Sequence, residues 1–432
     1  MFNNWAPMWP EVAINLEIMN TTKFLQVPDA LSAASDYLKN DADDHGELMT
    51  LNVGPSHPAT HGVLRLKLVI DGEVIVSCDP VIGYLHRGME KIAENCHYNQ
   101  YVAYTDRFDY LAPMSNNIAY ACAVEKLLGW ELPERGQAIR VLCCELSRIS
   151  SCFLGTGVYA MDTGAMTAFL YAFEEKERVH NLYEQICGAR FTSSYTRIGG
   201  MTRDLPKGID KQILEFCDSA LRTVDEMEKL LLHNKIFIDR LVGVGVISKE
   251  MALNCGMTGN NLRASGVQRD LRKTNPYLGY EKYEFDVPVA YEGDCYARFQ
   301  VRMEEIRQSV RIIRQVLATM PGGPICVQLD KGILPNKKDA MQGIEELIRQ
   351  FMVSTECVNA PAGQVYFAAE NPKGELGFFL DSKGGGIANR LKMRSPSFCT
   401  LSILPELMPG HLVSDVGAIL GSFDFVQGEC DR

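Results

Sequence analysis

From Met49 the chain alternates. LMTLNV, VLRLKLVI and EVIVSC set apolar and polar residues in turn, the period of a half-buried strand. Asp71-Gly72 separates the second and third runs, a dipeptide that favours a two-residue hairpin turn because both positions tolerate positive φ. A small antiparallel sheet is expected over residues 48–83, with the loop GPSHPATHG (54–62) between its first two strands. After Gly83 apolar residues recur every three or four positions. AYACAVEKLLG (119–129), AIRVLCCELSRI (138–149), MTAFLYAFEEKERVHNLYEQICG (166–188) and KQILEFCDSALRTVDEMEKLLLHNK (211–235) read as helices, with Gly129 and Gly188 at their ends. Cys295–Met320 and Lys338–Glu356 read as two more. Alternation returns after Gly363 in QVYFAAE, ELGFFLDS and NRLKMRSPSF, broken by Pro372-Lys373-Gly374 and Gly384-Gly385-Gly386. The expected class is α+β, mainly a helical bundle over 84–360, preceded by an N-terminal β region and followed by an α+β region over 361–432.

Composition adds limits. With 432 residues, 46% apolar and 22% charged, the chain can bury a large core, which excludes disorder over most of its length. The net charge of -11 would repel a phosphate backbone, so no nucleic-acid partner is expected. Eight acidic residues against Lys23 and Lys39 make residues 1–47 an acidic, solvated extension. Its start carries neither a basic region with an apolar run nor an Arg-rich transit pattern, so a cytoplasmic protein is expected. The least charged stretch, Ile149–Phe173, is interrupted by Asp162 and reads as a buried helix pair rather than a membrane span.

Fourteen cysteines raise the question of metal or disulfide chemistry, but no two form a CxxC, and the adjacent Cys143 and Cys144 would diverge by about 100° on a helix. Reduced core thiols are the expectation. Four of the eight histidines, His57, His61, His86 and His97, fall close together. His61 follows two prolines and precedes a glycine on a stiffened loop, a suitable mount for a proton donor. YLHRGMEK (84–91) and RFDYLAP (107–113) bring in Arg87, Glu90, Arg107, Asp109 and Tyr110. These suit either a hydrophobic ligand with carbonyl oxygens or an ion-pair network holding helices in register. Asp162 lies alone in an apolar stretch, as a proton site, a histidine's partner or a helix cap. GVGV (243–246) and KGGG (383–386) lack the order of a nucleotide-binding loop.

LNVGPSHPATHGVLRL (51–66), IGYLHRGMEKIAE (82–94), TDRFDYLAP (105–113), YTRIGGMTRDLP (195–206), MTGNNLRASGVQRDLRK (257–273) and the terminal GECDR (428–432) resemble the quinone-site subunit of respiratory complex I. That family comprises the D subunits of bacterial NADH-quinone oxidoreductases and the mitochondrial 49 kDa subunit. The resemblance covers residues 48–432 and extends to the large subunit of nickel-iron hydrogenases, whose two CxxC pairs would fall at Asp109, Ala112, Val426 and Glu429. None is a thiol, so the resemblance implies a hydrogenase-like fold without the metal.

What the resemblance further implies is a cavity for the quinone head group where the metal once sat. His61 and Tyr110 match the residues that hydrogen-bond the two quinone carbonyls, and Asp162 the carboxylate paired with that histidine. Arg87 and Arg107 match arginines near a 4Fe-4S cluster carried by the neighbouring B subunit. The chain itself is expected to bind no cofactor and to take quinone as substrate. It would work as part of a proton-translocating enzyme with the B, C and I subunits and the membrane H subunit, peripheral on the cytoplasmic face of the cell membrane. A scaffold protein of a hydrogenase-related electron-transfer complex that binds no quinone is the alternative. One departure stands out: SRISSCFLGTG (147–157) is two residues shorter than the family's usual SRISSHLLFLGTG and has Cys152 where a histidine thought to sense cluster reduction is common. The missing residues require either a bulge in the helix or a different helix start.

Overall fold

The computed structural model describes residues 48–327, 334–335 and 337–432. The acidic extension lies outside them. The first strands are β1 (Met49–Val53), β2 (Arg65–Asp71) and β3 (Val74–Val81), in an antiparallel sheet of order β1-β2-β3. Leu66, Leu68 and Ile70 of β2 point into the core, and Lys67 outward. The hairpin closes one residue later than Asp-Gly predicts: Asp71 still pairs with Val74, and Gly72, at φ 57, leads the turn. A leading glycine at positive φ suffices for a primed turn, so Asp71 stays in the ladder.

Helices follow: α1 (Met89–Ala93), α2 (Tyr98–Thr105), α3 (Pro113–Leu128), α4 (Glu134–Asp162) and α5 (Met166–Cys187). A two-residue ribbon, β4 (Thr196–Arg197) with β5 (Gly200–Met201), precedes α6 (Ile209–Leu231). Next are α7 (Lys235–Leu241), α8 (Lys249–Asn254), α9 (Asn260–Arg263), α10 (Leu271–Thr274) and α11 (Cys295–Ala318). The expected helix over 211–235 stops at Leu231 because Asn234 caps a new one, its side chain accepting from the Ile236 amide at 3.0 Å. Lys338–Glu356 likewise divides into α12 (Lys337–Gln342) and α13 (Ile344–Thr355), with Gly343 extended between them.

The second sheet contains β6 (Ala360–Asn371), β7 (Gly374–Gly385) and β8 (Arg390–Arg394). β8 is shorter than NRLKMRSPSF suggests. Ser395 turns the chain into α14 (Pro396–Leu401), its hydroxyl accepting from the Phe398 amide with Pro396 in the first turn. The chain ends in α15 (Leu404–Leu407), α16 (Asp415–Phe423) and α17 (Gln427–Asp431). The class is α+β, as expected.

α4 is the axis, roughly 43 Å long at the usual helical rise, with α3, α5, α11 and α16 packed around it. It alone among the described residues is long and apolar enough to cross a membrane, but 89% of its apolar window is buried against other elements, so it is the core helix. The tip of the β6–β7 hairpin is polar yet driven inward: Glu370, Asn371, Lys373 and Glu375 are all buried. Gly259 and Gly374 make that possible. A Cβ on Gly259 would lie 2.5 Å from the Gly374 Cα, so the two backbones meet face to face, as the MTGNN motif requires. Asn260 and Asn261 then reach the Pro372 and Phe423 carbonyls, bracketing the tip against the end of α16.

Beneath the tip lies a water-excluded ion network. Arg263 bonds Glu370 at 2.8 Å and Glu305 at 3.1 Å, Arg148 bonds Glu305 at 3.0 Å, and Arg272 bonds Asp270 at 2.7 Å and Glu145 at 3.2 Å. The RASGVQRDLRK stretch is thus structural. Removing one member strands its partners in low dielectric, at a cost of about 3–5 kcal/mol. R263M should lose that much stability by thermal unfolding of the assembled enzyme, while R311M, which breaks an exposed pair with Asp286, should lose less than about 1 kcal/mol. Equal losses in the two variants would refute the network's role.

Candidate functional site

The GPSHPATHG loop is shaped by its own sequence. Gly54 has φ 95, and a Cβ there would sit 2.0 Å from the Leu64 carbonyl oxygen, so only glycine closes the loop. Pro58–Thr60 form a single 3-10 turn, with the Thr60 hydroxyl donating to the His57 carbonyl at 2.7 Å. The turn leaves His61 in the left-handed region at φ 48 and ψ 35, a conformation that costs a non-glycine residue roughly 1–2 kcal/mol. The imidazole it mounts reaches the far end of α4. His61 Nε2 lies 2.5 Å from Asp162 Oδ2, with side-chain exposures of only 13% and 10%. Thus the structure brings Asp162 together with His61, the histidine partnership offered among its readings.

Two features hold that pair. The His61 ring stacks on Phe425, centroids 6.2 Å apart and planes 25° from parallel. Asp162 is the last residue of α4, where the helix dipole opposes a carboxylate. Gly421 backs it closely: a Cβ there would meet Asp162 Oδ2 at 2.9 Å.

Tyr110 sits in the turn before α3. Asp109 builds this turn, its Oδ1 accepting from the Leu111 amide at 3.0 Å and its carbonyl from Asn116 Nδ2 at 2.9 Å. Burial, then the charges of Asp109 and Asp424, push the Tyr110 hydroxyl above its ordinary pKa, with Arg87 opposing. It is therefore a protonated donor at neutral pH. Arg87 donates to the Arg107 carbonyl at 2.7 Å and to the Gly428 carbonyl at 3.1 Å; burial and Arg107 lower its pKa. Arg107 itself is half-exposed and donates to the Ala103 carbonyl.

The C-terminal segment, which the sequence marked at Val426 and Glu429 and by its terminal GECDR, joins these pieces. Asp431 accepts from the Gly83 amide at 3.0 Å and the Leu85 amide at 2.7 Å, and its carbonyl lies 2.6 Å from His86 Nδ1. Arg432 donates to the Met393 carbonyl at 2.8 Å. Gly428 must be glycine here, because a Cβ would lie 2.8 Å from the Phe108 carbonyl oxygen. Held in this way, the segment places Phe425 on His61 and Asp424 near Tyr110, so the two halves of the site share one support. His61 and Asp162 meet directly, and Arg87 bonds both the Arg107 carbonyl and the C-terminal segment at the Gly428 carbonyl. No local pattern flagged Asp424, Phe425 or Lys373, whose partners are far away in the chain.

Asp109, Ala112, Val426 and Glu429 are all buried. Burial, then Asp109, push the Glu429 carboxyl up to about 8, although the Ser397 hydroxyl donates to Glu429 Oε2 at 2.6 Å. Cys152 is buried within α4, which runs through 147–157 without interruption and begins at Glu134, so no bulge occurs there. Burial, then Glu305, push its thiol up to about 12, so it does not titrate where an imidazole would. A separate charged cleft of about 420 Å³, lined by His86, Glu90, Lys91, Arg390, Lys392 and Arg432 among others, opens beside the C-terminus and does not include His61.

The family model described as the 49 kDa subunit of respiratory-chain NADH dehydrogenase matches residues 162–432. The chain is 72% identical over 412 residues to the D subunit of the NADH-quinone oxidoreductase of Akkermansia muciniphila, covering 95% of this chain and 99% of that one. The D subunit of Methylacidiphilum infernorum is 58% identical, covering 97% and 98%, and that of Geobacter sulfurreducens 48%, covering 89% and 99%. From the burial of Cys152 we expect native protein at pH 8 to leave it unalkylated by iodoacetamide, and denatured protein to label it fully, as read by mass spectrometry. Native labelling as fast as that of the partly exposed Cys96 would contradict the assignment of an inert thiol.

Proposed function

The chain belongs to the family of the 49 kDa subunit of respiratory-chain NADH dehydrogenases, the D subunits of NADH-quinone oxidoreductases, and we propose that in that enzyme it forms the site where quinone is reduced. The observation that carries this reading is the short His61–Asp162 contact, mounted on the same C-terminal support as the protonated Tyr110. Quinone reduction takes up two electrons and two protons, one on each carbonyl oxygen. His61 donates to one oxygen and Tyr110 to the other, and each can pass its proton as negative charge develops there. Asp162 orients the imidazole and offers a proton acceptor or donor at its far side as the charge changes. A change of charge in this pair is a suitable trigger for proton translocation elsewhere in the enzyme.

The electrons come from outside this chain. We assign the donor as the 4Fe-4S cluster of the B subunit, with Arg87 and Arg107 on the face towards it, where positive charge favours electron arrival. The C and I subunits and the membrane H subunit complete the surroundings in this reading. The chain is then peripheral to the membrane on the cytoplasmic side, and the quinone reaches it from the bilayer.

H61A and Y110F in the assembled enzyme should each lower NADH-driven quinone reduction by about 100-fold or more, with subunit composition on native gels unchanged. Normal turnover in both would leave the chain a scaffold that binds no quinone.

A further inference from the structure

The two edges of the first sheet differ. On the β3 side the chain at 410–413 extends the ladder: the Gly410 amide donates to the Ile75 carbonyl at 2.8 Å, the Ile75 amide to the His411 carbonyl at 2.9 Å and the Val413 amide to the Glu73 carbonyl at 2.9 Å. On the other side β1 pairs, among the described residues, with β2 alone, so every second residue of Met49–Val53 turns its amide and carbonyl to an open edge. Its sequence, MTLNV, has neither the charge nor the proline that usually guards such an edge. The side chains agree. Met49, Leu51 and Val53 lie opposite Ile70, Leu68 and Leu66, and so on the core side of the sheet. Yet exposure rises from 7% at Val53 to 55% at Met49, and Leu48 before it is 41% exposed. On the outer side Arg65 donates to Asn52 Oδ1 at 2.9 Å, and Lys67, opposite Asn52, is exposed. The edge therefore fits a strand that is apolar on one face and acidic on the other.

The acidic extension carries such a segment. In EVAINLEI (11–18) Val12, Ile14, Leu16 and Ile18 alternate strictly with Glu11, Ala13, Asn15 and Glu17. That is the period of a strand, and Val12, Ile14 and Ile18 are β-branched, which disfavours a helix. We propose that residues 11–18 add to the open edge of β1 as a fourth strand, covering Met49 and Leu51 with the four aliphatic side chains and turning Glu11 and Glu17 towards the side of Arg65 and Lys67. Residues 19–47 connect the segment to Leu48. A flexible chain of that length spans about 30 Å, against roughly 17 Å for a strand as short as β1. The segment thus folds back on its own chain, at an effective concentration of about a millimolar. Because β1 runs directly into Gly54 and the turn that ends at His61, the added strand braces one end of that loop. The effect of this brace on turnover rests on the quinone reading, whereas the docking does not.

Hydrogen exchange of the assembled enzyme, read by mass spectrometry, tests the docking without quinone. Peptides over 11–18 and 49–53 should both exchange slowly. Deleting residues 1–20 should speed exchange in 49–53 by about tenfold or more and leave 74–81 unchanged. Alternation gives a second check: I14N/L16N, on the core side, should reproduce the deletion, whereas A13S/N15S, on the outer side, should exchange as wild type does. A synthetic peptide of residues 9–20, added to the truncated enzyme, should restore slow exchange in 49–53. Slow exchange there that survives the deletion would assign the edge to another subunit, and slow exchange that depends on enzyme concentration would assign it to a second copy; either overturns the proposal. Equal effects of I14N/L16N and A13S/N15S would do the same. The brace is read from turnover: the deletion should slow NADH-driven quinone reduction by about tenfold, because it loosens the mount of a proton donor. Fast exchange in 49–53 with unaltered turnover would overturn the brace and leave both the docked strand and the quinone site unaffected.

Discussion

A polar hairpin tip is buried in the middle of this molecule, and charge balance around it organises what surrounds it. Glu370, Asn371 and Lys373 leave water together, which is tolerable only because each meets a partner: Arg263, Asn116 and Asp424 in turn. Those partners come from α9, α3 and the end of α16, so satisfying the tip draws three distant pieces of chain to one point. The network of Arg148, Arg263 and Arg272 with Glu145, Asp270, Glu305 and Glu370 extends the same logic along α4 and α11.

From that point the functional geometry follows outward. Asp424, fixed by Lys373, precedes Phe425, and Phe425 stacks on His61. Beyond it the chain runs to Asp431, which ties itself to the amides of Gly83 and Leu85 and so holds the YLHRG turn beside RFDY. The terminal eight residues therefore link the histidine loop, the tyrosine turn and the arginine pair, none of which bonds directly to all the others. A soft support would let His61 and Tyr110 drift apart, whereas the proposed quinone reading needs two donors held at a fixed separation.

Much of this was legible. The strands, the central helices and the α+β class followed from periodicity, and His61, Asp162, Tyr110, Arg87 and Arg107 stood out through loop chemistry and motif resemblance. The errors lie where local backbone chemistry overrode pattern: the caps at Asn234 and Ser395 and the extended Gly343 each ended a regular run that the apolar spacing alone would have continued. The sequence also offered Asp109 as either a ligand group or part of an ion-pair network, and spacing could not rank the two. In the fold it is fully buried and shapes its own turn, its Oδ1 accepting from the Leu111 amide and its carbonyl from Asn116.

What the sequence by itself determined was every choice made within about ten residues: the alternation of β2, the turn before His61, the glycine at 54 that meets Leu64 and admits no side chain, and the absence of thiols at four positions. Only the tertiary structure decided which charges would be buried together. That His61 faces Asp162, that Lys373 faces Asp424 and that Ser397 meets Glu429 depends on chain segments brought together by packing. The physical reason is that a side chain's charge and hydrogen-bonding capacity are local properties, whereas the dielectric and partners that give them chemical meaning are supplied by the rest of the fold.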